Sequence, residues 1–299
     1  MRASRNEYVG VLAAIASSAL GGVAGGTTRF AIGSSDPLTL GVFRFGVGFL
    51  LLLPIALALR IKWPRGRDWL GVAALGIMYF AFFIVLFNLA FRYATAARGS
   101  LALSTLPLMT MLVGAALGVE ALDVRKSVGV IIAMAGAAVA LVAGLAHTWR
   151  GDLIMAAATL VMALYNVWSR PFIVRSSPLA YVTAGMGFGS ACLVAVAAWS
   201  DSYASVASFH GPQWMAVVYL GVFGGAAAFF LWVFALERTT PTRTAITMTI
   251  NPVFASAVGA FTLGEPIGIN LVVGLVAVFA GIWIATSESA AKKHANLPT

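Results

Sequence analysis

The chain has 299 residues, of which 61% are hydrophobic and 10% are charged. Soluble domains carry about 25% charged residues, so this composition excludes an ordinary soluble fold and predicts a protein that lies in a lipid bilayer. The net charge of +9 is spread in short clusters between apolar runs, which argues against a nucleic-acid partner. The single cysteine, Cys192, excludes an internal disulfide.

Ten apolar runs are each long enough to cross a bilayer as a helix, which takes about 20 residues. In chain order they cover 8–32, 38–59, 69–91, 96–117, 127–146, 152–174, 179–199, 213–236, 243–263 and 269–287. The first run follows two arginines, as in a signal peptide, but it is too long for the apolar part of one and is assigned as a span. The sequence therefore predicts an all-α membrane protein with ten transmembrane helices.

The distribution of lysine and arginine predicts the orientation, because these residues are enriched in cytoplasmic loops. When the N-terminus is placed in the cytoplasm, only Arg92, Arg98 and Arg150 fall on the outer side. Arg29 and Arg44 fall within spans, and the remaining fourteen of the nineteen basic residues lie on the cytoplasmic side. This bias predicts that both termini are cytoplasmic.

The sequence contains an internal repeat. The stretch STLPLMTMLVGAALGVE (104–120) recurs as TINPVFASAVGAFTLGE (249–265), with proline as the fourth residue and glutamate as the last. Without a gap, a shift of 145 residues places Arg98 on Arg243, Pro107 on Pro252, Gly114 on Gly259 and Glu120 on Glu265. Near the two starts, a shift of 141 places Arg29 on Arg170, Pro37 on Pro178 and Gly46 on Gly187.

These matches predict a tandem duplication, with one five-helix repeat over 1–146 and a second over 147–299. Because five is odd, the second repeat begins on the opposite side of the membrane from the first. The two copies are therefore predicted to have inverted topology, an arrangement typical of secondary transporters that hold substrate between the repeats. A duplication that only enlarges a helix bundle is the alternative.

The paired stretches, with TLGEPIGINLVVGLVAVFAGI (262–282) as the closest match, resemble the repeats of the drug/metabolite transporter superfamily in its ten-helix EamA-type branch. The resemblance covers nearly the whole chain, although the first copy has Val119-Glu120 where the second has Gly264-Glu265. It implies an exporter of small metabolites in the bacterial inner membrane. The aromatic-rich helices resemble the subgroup that exports amino acids, including aromatic ones, and also toxic cations.

Four spans carry polar and aromatic residues on one helical face, and we predict that these faces line a substrate cavity. Each residue alone is also consistent with packing or with a hydrogen bond to its own helix, but as a set they need partners or water at mid-depth. The predicted substrate-binding residues are Tyr79, Phe83, Asn88, Ser100, Ser104, Tyr165, Trp168, Thr244, Thr247 and Asn251.

Five further residues receive other roles. Pro107 and Pro252 are predicted to lie in the middle of equivalent helices, to kink them and to act as hinges during gating. Glu120 and Glu265 are predicted to accept hydrogen bonds from backbone amides at helix ends. Arg44, well inside the second span, could hold a substrate carboxylate, extend outward to the membrane surface or satisfy helix-end carbonyls, and we assign the structural role.

The residues favour a carrier over an enzyme or a channel. The three histidines lie in loops or in the tail, no metal or cofactor motif is present, and no P-loop is present. A channel would need a filter-like segment or charged rings, and neither is found. No Asp or Glu lies mid-span, which favours uniport or exchange driven by the substrate gradient.

The sequence thus predicts a secondary transporter that exports small amphipathic metabolites, above all aromatic or neutral amino acids, by alternating access through a central cavity. Its expected partners are the substrate and the bilayer, and a monomer is expected to suffice. Export of cationic drugs or nucleotide-related metabolites on the same fold is the alternative, and a channel-like pore is a more distant one.

Overall fold

A computed structural model describes residues 2–119 and 145–269, together with scattered positions within 128–135 and 272–280. The described residues are helical and contain no strand. The elements of the first half are α1 (Arg2–Ala31), α2 (Pro37–Ala58), α3 (Asp68–Ile77), a π-helical segment (Met78–Phe83), α4 (Ile84–Tyr93), α5 (Ala96–Leu103) and α6 (Leu106–Ala116).

The second half contains a similar series of helices. Its elements are α7 (Leu145–Arg175), α8 (Pro178–Trp199), a 3₁₀ segment (Ser202–Ser208), α9 (Gly211–Gly221), a π-helical segment (Val222–Ala227), α10 (Ala228–Arg238), α11 (Pro241–Ile246), a 3₁₀ segment (Thr247–Ile250) and α12 (Asn251–Leu263).

Eight stretches of the described residues are long and apolar enough to cross a membrane. They are Asn6–Ala31, Pro37–Ala58, Asp68–Tyr93, Ala96–Ala116, Trp149–Arg175, Pro178–Trp199, Gly211–Arg238 and Pro241–Leu263. Each of them corresponds to one of the predicted spans. The other two predicted spans, 127–146 and 269–287, fall largely outside the described residues.

Helix starts are fixed by the same devices in both halves. The Thr95 hydroxyl accepts a hydrogen bond from the Arg98 amide at the start of α5, and Thr240 does the same for Arg243 at the start of α11. Such caps satisfy amides that have no partner within the helix. In addition, α2, α8 and α11 each begin with a proline, which lacks the amide that would be left unpaired there.

Four spans are interrupted, two in each half. Helix α3 joins α4 through one π segment, and α9 joins α10 through the other. Helix α5 is separated from α6 at Ser104 and Thr105, and α11 from α12 by the 3₁₀ segment. Pro107 and Pro252 therefore lie in the first turns of α6 and α12, not in the middle of continuous helices as predicted. In a first turn proline removes no intrahelical hydrogen bond, so it marks the restart of a broken helix.

Glycines allow α1 to pack closely on α12. A Cβ atom on Gly22 would lie 2.7 Å from the Asn251 carbonyl oxygen, and one on Gly26 would lie 2.5 Å from Val258 Cβ. Helices approach this closely in membranes where small residues face each other. The contact holds the first span of the first half against the ninth predicted span, in the second half.

The substitution Gly22→Ala should separate α1 from α12, because its methyl group meets backbone atoms that cannot rotate away. We expect a loss of about 1–3 kcal/mol in stability, as for overpacked cores, and a lower midpoint of thermal unfolding in detergent. Gly46→Ala is the matched control, since a Cβ there meets nothing within 4 Å. Equal midpoints for the two variants would contradict the close contact.

Candidate substrate cavity

A cavity lies at the centre of the bundle, between the two halves of the chain. Its volume of about 30 Å³ leaves room for a little water, whereas sites that hold organic ligands enclose about 300–1,000 Å³. The described conformation therefore leaves too little room here for such a ligand. The wall is formed by Ser17, Gly21, Arg44, Tyr79, Phe83, Phe87, Leu103, Met162, Ala228, Phe229, Trp232, Met248 and Asn251.

Aromatic rings form one side of the cavity. The Tyr79 ring stacks on Phe83 at 4.6 Å and on Tyr165 at 4.2 Å between ring centroids, and it meets Phe229 edge-on at 5.4 Å. Phe87 continues the stack from Phe83 at 5.6 Å. Stacked and edge-on pairs of this kind add to the stability that burial alone provides, so the wall is preorganised.

Arg44 contributes a buried positive charge to this wall, with only 4% of its surface exposed. Its Nε and Nη2 atoms donate to the Gly224 carbonyl at 3.2 and 3.1 Å. The guanidinium carbon lies 5.6–5.7 Å from the rings of Phe45, Phe87 and Phe229. This corrects the assignment of Arg44 to a helix end: its carbonyl partner lies in a π segment within a span, beside the cavity.

Three polar atoms of the cavity-lining residues have no hydrogen-bond partner in the described structure: Arg44 Nη1, the Tyr79 hydroxyl and Asn251 Oδ1. Buried polar groups are normally paired, because an unpaired group loses its bonds to water without replacement. Two donors and one acceptor are thus left available around one small space. An arrangement of this kind suits a polar ligand that brings its own acceptor and donor.

The predicted cavity residues divide into three groups. Tyr79, Phe83 and Asn251 line the cavity, and Tyr165 lies directly behind Tyr79. Trp168, predicted to share their face, is 42% exposed and is not part of the wall. The face of α7 that turns inward carries Met162 and Tyr165 instead, which corrects the expectation for Trp168.

The remaining five predicted residues are buried, and four of them donate a side-chain hydrogen bond to a backbone carbonyl. Asn88 donates to the Pro37 carbonyl at 2.8 Å, and the Thr244 hydroxyl donates to Thr240 at 3.1 Å. Ser100, in the last turn of α5, lies buried beside α1, where its hydroxyl oxygen would be 3.1 Å from a Cβ on Gly25. Asn88 thus joins α4 to the start of α2, Thr244 bonds to the cap of its own helix, and none of the three side chains lines the cavity.

Two hydroxyls bridge the broken spans to neighbouring helices. The Ser104 hydroxyl lies 2.9 Å from the Ser100 carbonyl and 3.3 Å from the Met248 carbonyl. Thr247 lies 2.7 Å from the Ser18 hydroxyl and 3.1 Å from the Ala14 carbonyl. Non-helical backbone is tolerated at membrane depth only where such partners or a cavity replace the lost bonds.

Sequence reasoning missed several wall residues, among them Ser17, Phe229 and Trp232. The Trp232 indole donates to Asn166 Oδ1 at 3.0 Å, which joins α10 to α7 beneath the cavity. The consecutive glycines Gly224 and Gly225 were the sequence signal that could have located this part of the wall. A Cβ on Gly225 would lie 2.4 Å from the Arg44 carbonyl oxygen. A glycine pair within an apolar run indicates that another backbone passes very near.

An ion pair lies at each end of the bundle. Glu7, near the start of α1, pairs with Arg243 of α11. Asp152 of α7 binds Arg98 of α5 through two contacts of 2.9 and 2.6 Å. A shift of 145 residues superposes Arg98 on Arg243 and Glu7 on Asp152, so the two pairs are equivalent in the repeat.

The Arg98 pair lies at the end of α1 opposite to Glu7. Glu265 binds Arg29, near the end of α1, at 2.9 Å and accepts a hydrogen bond from the Ala96 amide at 2.8 Å. Ala96 begins α5 and is two residues from Arg98. About 33 Å of helix separates Glu7 from Arg29 at 1.5 Å per residue. Glu120, the repeat equivalent of Glu265, lies outside the described residues.

Comparison with known proteins identifies the family. The model of the EamA-like transporter family matches residues 8–142 and 149–287. The chain belongs to the EamA-like transporter family. This EamA-like protein is accordingly a multi-pass membrane transporter and not an enzyme, and the prediction of the superfamily from the repeats is confirmed.

Relatives of this EamA-like chain are named as transporters. An uncharacterized transporter of Bacillus subtilis is 23% identical over 86% of this chain and 87% of its own length. A transporter of Archaeoglobus fulgidus is 26% identical over 89% of this chain and 95% of its own. A "probable terminal-alkyne amino-acid exporter" of Streptantibioticus cattleyicolor is 26% identical over 87% of both chains.

A solved crystal structure has the same fold. It superposes with a TM-score of 0.69 and 22% sequence identity, covering 95% of this chain and 96% of the other. At this identity the match supports the fold and carries no information on substrate. The helical bundle described above is therefore shared with that solved structure.

The hydrogen bond between Trp232, in the cavity wall, and Asn166 can be tested by substitution of both residues. Asn166→Leu should destabilise the protein by about 1–3 kcal/mol, because the buried indole N–H loses its acceptor. Trp232→Phe removes the donor, so the double variant should be less destabilised than the sum of the single variants. Thermal unfolding in detergent measures all three. Additive losses would contradict the hydrogen bond.

Proposed function

We propose that this EamA-like protein is a secondary transporter that exports small amphipathic metabolites across the bacterial inner membrane, with aromatic or neutral amino acids as the principal substrates. One observation carries the proposal: a small central cavity whose wall combines stacked aromatic rings with unpartnered polar atoms. Such a wall matches a molecule with an apolar side chain and a polar head. The relative named as an amino-acid exporter supports the same substrate class.

The cavity is assembled from both halves of the chain. Arg44 and Tyr79 come from the first half, and Phe229, Trp232 and Asn251 come from the second. A site at the boundary between two repeats changes its accessibility when one repeat moves against the other. Movement of this kind would open the cavity to one side of the membrane at a time.

We propose ten spans in two inverted repeats with both termini in the cytoplasm. The positions of α5 and α11 support inversion, because these equivalent helices begin at opposite ends of α1. The family model that matches twice, at 8–142 and 149–287, supports the duplication. Lysine and arginine are enriched on the side of the membrane where the N-terminus lies, which supports the orientation.

In this scheme the two ion pairs act as closures. The Glu7–Arg243 pair closes the cytoplasmic end, and the Arg98–Asp152 pair closes the outer end. Both are formed in the described conformation, in which the cavity is too small for a substrate. Opening toward either side would break one pair and keep the other, and a monomer contains every part that this cycle needs.

Transport driven by the substrate gradient agrees with the positions of the acids. Within the described residues the acids lie in loops or within a few residues of a span end. Among the described residues, Arg44 is the one charged residue that lines the cavity. A buried positive charge disfavours the alternative substrate class, cationic drugs, because like charges repel strongly where water is scarce.

Counterflow in proteoliposomes tests the proposed function. Vesicles loaded with unlabelled phenylalanine should accumulate external radiolabelled phenylalanine faster than empty vesicles, and the rate should saturate. Vesicles without protein are the control. Unsaturable flux without stimulation by internal substrate would indicate a pore, and no flux of any amino acid would refute the substrate class.

Reversible cross-linking tests the ion pairs as closures. In a Cys192→Ser background, Arg98→Cys with Asp152→Cys, or Glu7→Cys with Arg243→Cys, places two thiols across one end of the cavity. A bifunctional methanethiosulfonate should stop counterflow in either variant, because each end must open once per cycle, and reduction should restore it. Variants with a single cysteine are the controls. Full activity after cross-linking would contradict the gating role.

A further inference from the structure

The wall of the central cavity contains a cation that lacks an acid as partner in the described structure. Five described arginines other than Arg44 pair with carboxylates, at Glu7, Asp68, Asp152, Glu237 and Glu265. Arg44 instead donates to one carbonyl, that of Gly224, through two of its three nitrogens. An isolated guanidinium inside a membrane is costly, so a residue of this kind is expected to have a functional use.

The surroundings hold the guanidinium in place without neutralising it. The Gly224 carbonyl fixes Nε and Nη2, and three aromatic rings within 5.7 Å stabilise the charge through their faces. A Cβ atom on Gly225 would collide with the Arg44 backbone, so this close approach depends on glycine. The third nitrogen, Nη1, is left without a partner.

A second donor belongs to the same wall. The Tyr79 hydroxyl is buried and unpartnered, and its ring is held by Phe83 and Tyr165. Tyr79 lies in a π-helical segment, a feature that is frequent at functional sites. A guanidinium and a phenol that both donate are complementary to a carboxylate, which accepts through two oxygens.

We infer that Arg44 Nη1 and the Tyr79 hydroxyl form an anion subsite in the central cavity, and that the transported molecule presents a carboxylate to it. This inference rests on the proposed transport function and narrows its substrates to carboxylates. Asn251 Oδ1, the unpartnered acceptor of the same wall, then receives a donor such as an ammonium group. The rings of Phe83, Phe87 and Phe229 contact the apolar part of the substrate.

Three probes with one phenyl ring separate the contributions of the two charged groups. Phenylalanine carries a carboxylate and an amine, 3-phenylpropionate carries only the carboxylate, and phenethylamine carries only the amine. The two carboxylates, at millimolar concentration, should raise the midpoint of thermal unfolding of the detergent-purified protein, because a ligand that binds the folded state stabilises it. Phenethylamine should leave the midpoint unchanged.

Substitutions test which residues bind the carboxylate of these ligands. Arg44→Gln should weaken 3-phenylpropionate binding about tenfold or more, since hydrogen bonds to charged groups are the strong ones. Tyr79→Phe keeps the ring and should lose a smaller part of the affinity. Arg92→Gln is the matched control, because Arg92 also donates to a carbonyl, that of Ser35, and lies outside the cavity wall. If Arg44→Gln fails to fold, Tyr79→Phe and Arg44→Lys carry the test.

Several results would overturn the subsite. These are stabilisation by phenethylamine equal to that by 3-phenylpropionate, an unchanged response of Arg44→Gln, and no stabilisation of the wild-type protein by either carboxylate. Counterflow separates this failure from failure of the transport function. Arg44-dependent stabilisation without phenylalanine exchange would retain the subsite and refute amino-acid transport. Saturable exchange with wild-type KM in Arg44→Gln would retain transport and refute the subsite.

Discussion

The absence of hydrogen-bond partners in lipid is the constraint on which this structure depends. A backbone that crosses the membrane must satisfy its own polar groups, so every described span is built of helices. Within the described spans, irregular backbone is confined to two π segments and two helix breaks, and side chains complete bonds at both breaks and at one π segment. The hydroxyls of Ser104 and Thr247 reach carbonyls on neighbouring elements. The irregular positions surround the cavity, where water or a substrate can replace the missing partners.

The same constraint explains why one arginine dominates the site. A guanidinium in the centre of the bundle has lost its water, and one carbonyl and three rings replace only part of that hydration. The contact with Gly224 fixes the plane of the guanidinium, and so it fixes the direction in which the unpartnered Nη1 can donate. An anionic group of a substrate would supply the missing interaction. The buried charge and the aromatic wall are thus the two features behind the proposed substrate, an amphipathic carboxylate.

The internal repeat relates the helix caps and the ion pairs of the two halves. The caps at Thr95 and Thr240, and the ion pairs of Arg98 and Arg243, occupy equivalent positions in the two halves. Each ion pair joins the fourth span of one half to the first span of the other. The Arg98–Asp152 pair is more buried, with side chains 11% and 17% exposed, than the Glu7–Arg243 pair at 44% and 40%. The two pairs therefore differ in strength, since burial reduces screening by water and salt.

The sequence by itself determined the class of protein, the positions of eight described spans and the family. Composition, span length and repeated proline and glutamate positions are properties of the chain that need no knowledge of packing. Part of the cavity was also predictable: Tyr79, Phe83 and Asn251 lie on polar or aromatic faces that need a partner.

Only the tertiary structure decided which faces meet. Trp168 shares a helix with Tyr165 but turns outward, because the rotation of α7 depends on its neighbours and not on its own sequence. The prolines proved to restart broken helices, since the break depends on side chains from other spans. Arg44 became a cavity residue because Gly224, 180 positions away, offers its carbonyl there. A local pattern fixes the type of each element, whereas contacts between distant residues fix what each side chain faces.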